Sequence, residues 1–270
     1  MAAEEDRLAP PHNLPEHDSP ELELAEIVKK VRAQTPARLL AGRSGAAYRT
    51  NTQMELREAH AGARDAVRAE LNLLRDLGDE FIRNWNLLEV CSRATSKDEY
   101  ILRPDLGRLL SDKSRAEVIG NCTTGHDLQV VIGDGLSVTA VAMQIPRLVP
   151  PLCEGAETRG WSLGRIFVIR HCRVGILNQI GDLLVPKVAV LLIGERPGLA
   201  TAESLSAYMA YRPKTSDTDA DRNLISNIHA RGVSTEDAVQ RILNLAASMM
   251  KTHRSGCQLR EESRAVIRRD

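Results

Sequence analysis

Glu195 and Arg196 stand at the end of the apolar run Val188-Ala189-Val190-Leu191-Leu192-Ile193-Gly194, with Pro197, Gly198 and Leu199 behind them. A carboxylate there can accept hydrogen bonds from amide NH₂ groups or hydroxyls, and a guanidinium can bind an anion. The two charges can also neutralise each other, so ligand contact and internal ion pair are evenly matched. Gly133-Asp134-Gly135-Leu136-Ser137 follows another apolar run. Glycines at such a junction let the backbone approach a ligand, and the helix start beyond favours acceptor groups. A tight turn with Ser137 or Asp134 as N-cap is the plainer reading. The segment is not G-x-G-x-x-G, and no Walker A motif occurs in the chain.

Asp219-Ala220-Asp221-Arg222-Asn223-Leu224-Ile225-Ser226-Asn227-Ile228-His229 is dense in polar groups. Its aspartates could serve as acid and base or as metal ligands. The alternative is a loop in which Asp221, Arg222, Ser226 and Asn227 satisfy their own backbone, and for Asp219 that version is favoured. Asn227-Ile228-His229-Ala230-Arg231-Gly232 nearly spells Asp-x-His-x-x-Gly, a signature that places a histidine on cobalt. Asn replaces the Asp that would orient the imidazole, and the match reads as coincidence. The cysteines, Cys91, Cys122, Cys153, Cys172 and Cys257, are widely spaced without C-x-x-C and read as buried or incidental thiols. No Ser-His-Asp or Cys-His set assembles. The residues alone support an α/β ligand-binding domain and no named reaction.

These residues need elements to hold them. Residues 1–20, with Pro10, Pro11, Pro15 and Pro20 among acids, read as a disordered tail. Leu22, Leu24, Ile27, Val28 and Val31 fit a short amphipathic helix. Ala41–Gly45 is a glycine-bounded loop. A long helix is expected from about Thr52 to Leu77, with Leu56, Ala59, Ala63, Val67 and Leu71 on one face. Residues 79–120 read as further helix and loop. From Asp127 strands and helices alternate: strand Leu128–Ile132, a helix from Ser137 ending before Pro150, strand Ile166–Ile169, helix Asn178–Leu184 and strand Val188–Ile193. Ser204–Ala210 is ambiguous. A last helix starts at Ser234, which can cap, with Asp237 at the capping-box position. The fold class is α/β: a Rossmann-like, mostly parallel sheet flanked by helices, with an N-terminal helical region. The expected division is a tail at 1–20, helices over 21–120, the ligand-binding domain over 121–255 and a basic tail at 256–270. Ligands of open α/β sheets bind beyond the carboxyl ends of the strands, where Glu195 stands.

Composition narrows the function. Lys and Arg number 36 and Asp and Glu 36, so the basic excess of a general nucleic-acid binder is missing. Two Phe, two Trp and four Tyr leave little for base stacking. No apolar run approaches the ~20 residues that span a bilayer, and no signal-peptide h-region is seen. The expected location is cytoplasmic.

Six segments, taken in order, resemble the small subunit of ethanolamine ammonia-lyases, the adenosylcobalamin-dependent enzymes. They are Ala41–Gly45, Leu102–Arg108, Val131–Ser137, Arg173-Val174 with Gln179-Ile180-Gly181, Ile193–Leu199 and Asp219–His229, and together they cover about residues 35 to 250. The resemblance implies a Rossmann-like domain with helical additions and a large barrel-bearing partner subunit that carries the substrate site. It implies cobalamin between the two subunits, and conversion of ethanolamine to acetaldehyde and ammonia. It carries over three cofactor contacts, at Val174, Glu195 and Leu224. Relatives can carry Cys at the position of Leu224, so a packing or backbone contact survives there and a sulfur contact does not. The missing Asp-x-His-x-x-Gly agrees with a cofactor that keeps its own dimethylbenzimidazole on cobalt. Relatives bound for bacterial microcompartments can carry an N-terminal extension, whereas here the 22–31 helix leads almost directly into the matched region. Two other readings stand beside this one. The strand-end glycines suggest a stand-alone nucleotide- or sugar-binding enzyme, and Leu224 suggests an assembly subunit with a degenerate pocket.

Overall fold

The computed structural model describes residues 20–34, 39–198 and 201–259. The expected tails lie almost wholly outside these residues. Only Pro20 and 256–259 are described, and Gly256–Gln258 forms one 3₁₀ turn. The chain divides into two units, up to Tyr48 and from Arg49 onward. The first holds α1 (Pro20–Gln34) and a small antiparallel hairpin, β1 (Arg43–Ser44) and β2 (Ala47–Tyr48). Gly45 turns that hairpin at φ +61°, where a side chain would be strained. Arg32 donates to the carbonyls of Leu39 and Leu40 at 3.0 and 3.1 Å.

The second unit opens with α2 (Thr50–Arg68), then α3 (Leu73–Asp76) and α4 (Asp79–Asn84). One helix to Leu77 was expected, but the chain is extended at Ala69 and restarts at Asn72, whose side chain accepts from Arg75 N at 2.9 Å. The interruption buries Leu71 and carries Glu70 to Arg170, 3.0 Å away. The expected inner face holds: Leu56, Ala59, Ala63 and Val67 are half-buried.

Then come β3 (Leu88–Cys91), α5 (Lys97–Leu102), α6 (Asp112–Asn121), β4 (Leu128–Gly133) and α7 (Val138–Thr158). They are followed by β5 (Phe167–Arg170), α8 (Ile176–Leu184), β6 (Val188–Gly194), β7 (Leu205–Tyr211), β8 (Asn223–Ile228) and α9 (Thr235–Thr252). The sheet order is β3-β5-β4-β6-β7-β8. The first four strands run parallel, and β7 and β8 extend the sheet antiparallel. This is the expected α/β architecture, with a sheet flanked by helices.

β3 and α7 also depart from the pattern. β3 lies inside the stretch read as helix and loop, because a four-residue edge strand with only Val90 fully buried carries little signal. Helix α7 runs through Pro146, Pro150 and Pro151 instead of stopping before Pro150. An interior proline costs about 3 kcal/mol. Burial of Leu148, Val149, Leu152, Cys153 and Ala156 continues the apolar face, and each large aliphatic stabilises by roughly 1.5–3 kcal/mol.

Every residue of β4 and β6 is buried. Leu128, Val130 and Ile132, with Val188, Val190 and Leu192, pack under α7 and α9. Val131, Leu191 and Ile193 face the other way, toward Ile176, Leu177 and Ile180 of α8. Helices α7 and α9 cover the first face from β4 to β8. On the second face α6 packs on β3 and α8 on β6. Beyond them Tyr208 is half-buried and Leu224 is exposed. Among the described residues no helix is long and apolar enough to cross a membrane.

Candidate functional site

The chain places β5 on one side of β4 and β6 on the other, so the crevice at the end of β4 is where an open sheet would take a ligand. Here the protein fills it. Gly135 has φ +59°, and a Cβ on it would lie 2.1 Å from the carbonyl oxygen of Gly194. A Cβ on Gly194 would lie 2.0 Å from that of Ser137. Asp134 is fully buried and accepts from His171 N and Cys172 N, both at 2.9 Å. Lys97 Nζ lies 3.8 Å from Asp134 and donates to Gly135 O at 3.1 Å. Burial pushes the Lys97 ammonium below its ordinary pKa, and Asp134 offsets part of that. Ser137 caps α7 by accepting from Ala140 N at 3.2 Å. The glycines of 133–137 therefore serve the fold's own backbone, as the turn-and-cap reading has it.

The open space lies beside this crevice, on the half-covered face. A cleft of about 860 Å³ is bounded by the start of α8, the loop around Arg108, and β7–β8. Val174, Tyr208 and Leu224 all line it. Tyr208 and Leu224 are cross-strand partners, and Leu191 lies opposite Tyr208 on β6, so one row of side chains crosses the sheet into the cleft. Leu224 is 46% exposed, a large aliphatic left partly open among the described residues. Glu195 is half-buried and does not line this cleft; it touches the lining through Tyr208. Tyr208 Oη donates to its Oε1 at 3.3 Å. Burial, reinforced by the Glu195 carboxylate, pushes the phenol up to about 12, so it remains a neutral donor. No ion pair joins Glu195 to Arg196, which is exposed.

Asp219 and Arg222 are part of the cleft's polar lining, and the Asp219–His229 segment that carries them is not a single loop. It forms a 3₁₀ turn, Asp219–Asp221, and then β8. Asp221 accepts from Thr218 N and Oγ1 at 2.8 and 2.9 Å, and Asp219 pairs with Arg222. The aspartates thus bind their own turn, as the plain reading expects. Arg222 also donates to Asn178 Oδ1 at 2.7 Å.

His229 is 3% exposed. Its Nδ1 accepts from Arg231 N at 3.3 Å, which leaves the proton on Nε2 facing Asn227 Oδ1 at 2.7 Å. Burial lowers its pKa. Both ring nitrogens are used inside the turn, so the near-match to Asp-x-His-x-x-Gly offers no free imidazole. Among the described residues no cluster of three or more His, Cys, Asp and Glu could hold a metal.

Tyr208, Asn178 and Arg222 were not singled out as site residues from the sequence. Tyr208 could have been found, because Leu205, Ala207 and Met209 alternate with it and point to the opposite face. Asn178 and Arg222 meet across 44 residues of chain, a pairing no local pattern reports.

Comparison with known proteins gives the site its context. The family model for ethanolamine ammonia-lyase light chain (EutC) matches residues 25–260. The ethanolamine ammonia-lyase small subunit of Clostridium acetobutylicum is 38% identical over 244 residues, 90% of this chain and 97% of that one. Those of Clostridium perfringens and Clostridioides difficile are 38% identical over 235 and 236 residues, each 87% of this chain and 78% of the relative. With the match running from α1 through the cleft walls and past α9, the chain belongs to the ethanolamine ammonia-lyase light-chain family.

Proposed function

We propose that this chain is the small subunit of an adenosylcobalamin-dependent ethanolamine ammonia-lyase. In this reading it supplies one wall of the cofactor site, and a large barrel subunit supplies the rest together with the substrate residues. Residues 121–255 form the cofactor-binding region, joined by the loop around Arg108. The setting is cytoplasmic, free or inside a bacterial microcompartment.

The observation that carries the reading is the cleft on the half-covered sheet face, lined by Val174 and Leu224. A corrin has broad apolar faces and a fringe of amides. The cleft offers both kinds of contact: the apolar side chains of Leu109, Val174 and Leu224, and hydrogen-bonding groups such as Asn178, Tyr208 and Arg222. Val174 and Leu224 would pack on the ring and keep water from it. Tyr208 commits its proton to Glu195, so its oxygen stays free to accept from an amide NH₂, and the second carboxylate oxygen of Glu195 can do the same. His229 is enclosed by its own turn, so this chain would hold the cofactor through the cleft walls and not through that imidazole. When bound, adenosylcobalamin supplies cobalt–carbon homolysis, which starts the radical migration and elimination that give acetaldehyde and ammonia. The chain's own residues bind and orient.

Glu195→Ala in the reconstituted two-subunit complex tests the reading. A hydrogen bond between a carboxylate and an amide contributes about 1.5–3 kcal/mol, and affinity for adenosylcobalamin should fall accordingly while the subunits still assemble. An unchanged dissociation constant removes Glu195 from the site. A chain that turns over a substrate as a lone monomer overturns the reading.

A further inference from the structure

The two walls of the cleft come from segments far apart in sequence. One is the start of α8 with Val174 before it, and the other is β8 with Leu224. Arg222 joins them. Its side chain is 4% exposed. Nη2 donates to Asn178 Oδ1 on α8 at 2.7 Å, and Nη1 holds Asp219. Asn178 Nδ2 donates onward to Asp217 O at 2.7 Å. A guanidinium bonded on both arms is a rigid planar fork, so it fixes spacing as well as charge. We infer that Arg222 is the positioning residue of the cleft. Through Asn178 it sets the separation of the Val174 and Leu224 walls, and so the affinity for a flat ligand with apolar faces. This rests on the proposed function, which makes the corrin that ligand.

The fold does not depend on this bond alone. Thr215 N donates to Asp182 Oδ2 at 3.2 Å, a separate tie between α8 and the segment that leads from β7 to the turn. Loss of Arg222 strands no buried charge, because its partner Asp219 has a side chain 91% exposed.

The test uses the complete two-subunit complex and adenosylcobalamin, with Arg222→Ala, Arg222→Lys, Asn178→Ala, Asn178→Asp and the Arg222→Ala/Asn178→Ala double variant. A charged hydrogen bond of this kind predicts a dissociation constant raised about tenfold in Arg222→Ala, and kcat at saturating cofactor lowered by no more than about threefold. Asn178→Asp keeps an acceptor for the guanidinium but loses the donation to Asp217 O, so it should retain part of the affinity that Asn178→Ala loses. Arg222→Lys should recover part of it. The double variant should bind about as weakly as the worse single variant, since both break one contact. Wild-type binding with an unaltered constant in Arg222→Ala and Asn178→Ala overturns the inference alone, as do strictly additive losses. A wild-type complex that does not bind adenosylcobalamin overturns the functional reading and this inference with it.

Discussion

The two faces of the sheet are covered to different extents. On one, α7 and α9 reach from β4 to β8, and Leu152, Ile242 and Met249 are fully buried among the strand side chains. On the other, α8 covers β6 and stops, so Tyr208 and Leu224 continue the same row of side chains into a cleft. The first face spends its apolar surface on folding. The second keeps some in reserve, which is what a binding surface needs. The contrast recurs at the strand ends. The segment after β4 folds back on Gly194 and is closed, whereas the segment after β5 opens at Val174.

Substitutions can break or sharpen that contrast. The largest effect is expected on the closed face. Leu152→Ala removes a fully buried side chain beneath α9 and should cost about 2–5 kcal/mol in urea unfolding. A cost below 1 kcal/mol would mean that this face is not the stabilising one.

A middle-sized effect is expected at the N-terminal ends of β4 and β6, away from the cleft. Lys187 Nζ at 2.6 Å, with Ser162 N and Oγ behind it, holds the Asp127 carboxyl at about 2. The unfolded value is about 3.9, so the folded form binds its proton less readily and gains about 2 kcal/mol at neutral pH. That stability is present above about pH 4 and is lost as pH falls toward 2. Asp127→Asn should therefore be less stable than wild type at pH 7, with the gap closing on acidification. A gap that persists at pH 2 would assign the effect to packing.

The smallest stability effect is expected on the open face. Leu224→Ala should shift unfolding by no more than about 0.5 kcal/mol, as exposed positions do. The same change should weaken cofactor binding in the complex by about 1 kcal/mol, the worth of the apolar area it withdraws. Calorimetric unfolding together with a cofactor titration reads both numbers. A large stability loss without a binding loss would reverse the roles of the two faces.

Much of the architecture was legible in the chain. The run Val188–Gly194 reads as a strand buried on both faces, and β6 is one. Ser137 and Ser234 announced the starts of α7 and α9 by cap chemistry, and the inner face of α9 followed from spacing. These signals are local, because burial period and capping act over a few residues. Edge pairing is not local. β3 became a strand because β5 offered it a partner, and the small residues of β7 did so because β6 lay alongside. Helix α7 outlasts its prolines because Leu148, Val149, Leu152 and Ala156 at its far end are buried in the core.

The site divides in the same way. The sequence alone marked Glu195 as standing at a strand end, and it left two meanings for the acid, ion pair or ligand rim. Only the tertiary structure turned Glu195 toward Tyr208, closed the crevice where a ligand was first sought, and opened a cleft one strand further along. The physical reason is that a residue's type and spacing determine which bonds it can make. Which of them it makes depends on partners brought near by packing, and Arg222 meeting Asn178 across 44 residues is the clearest case.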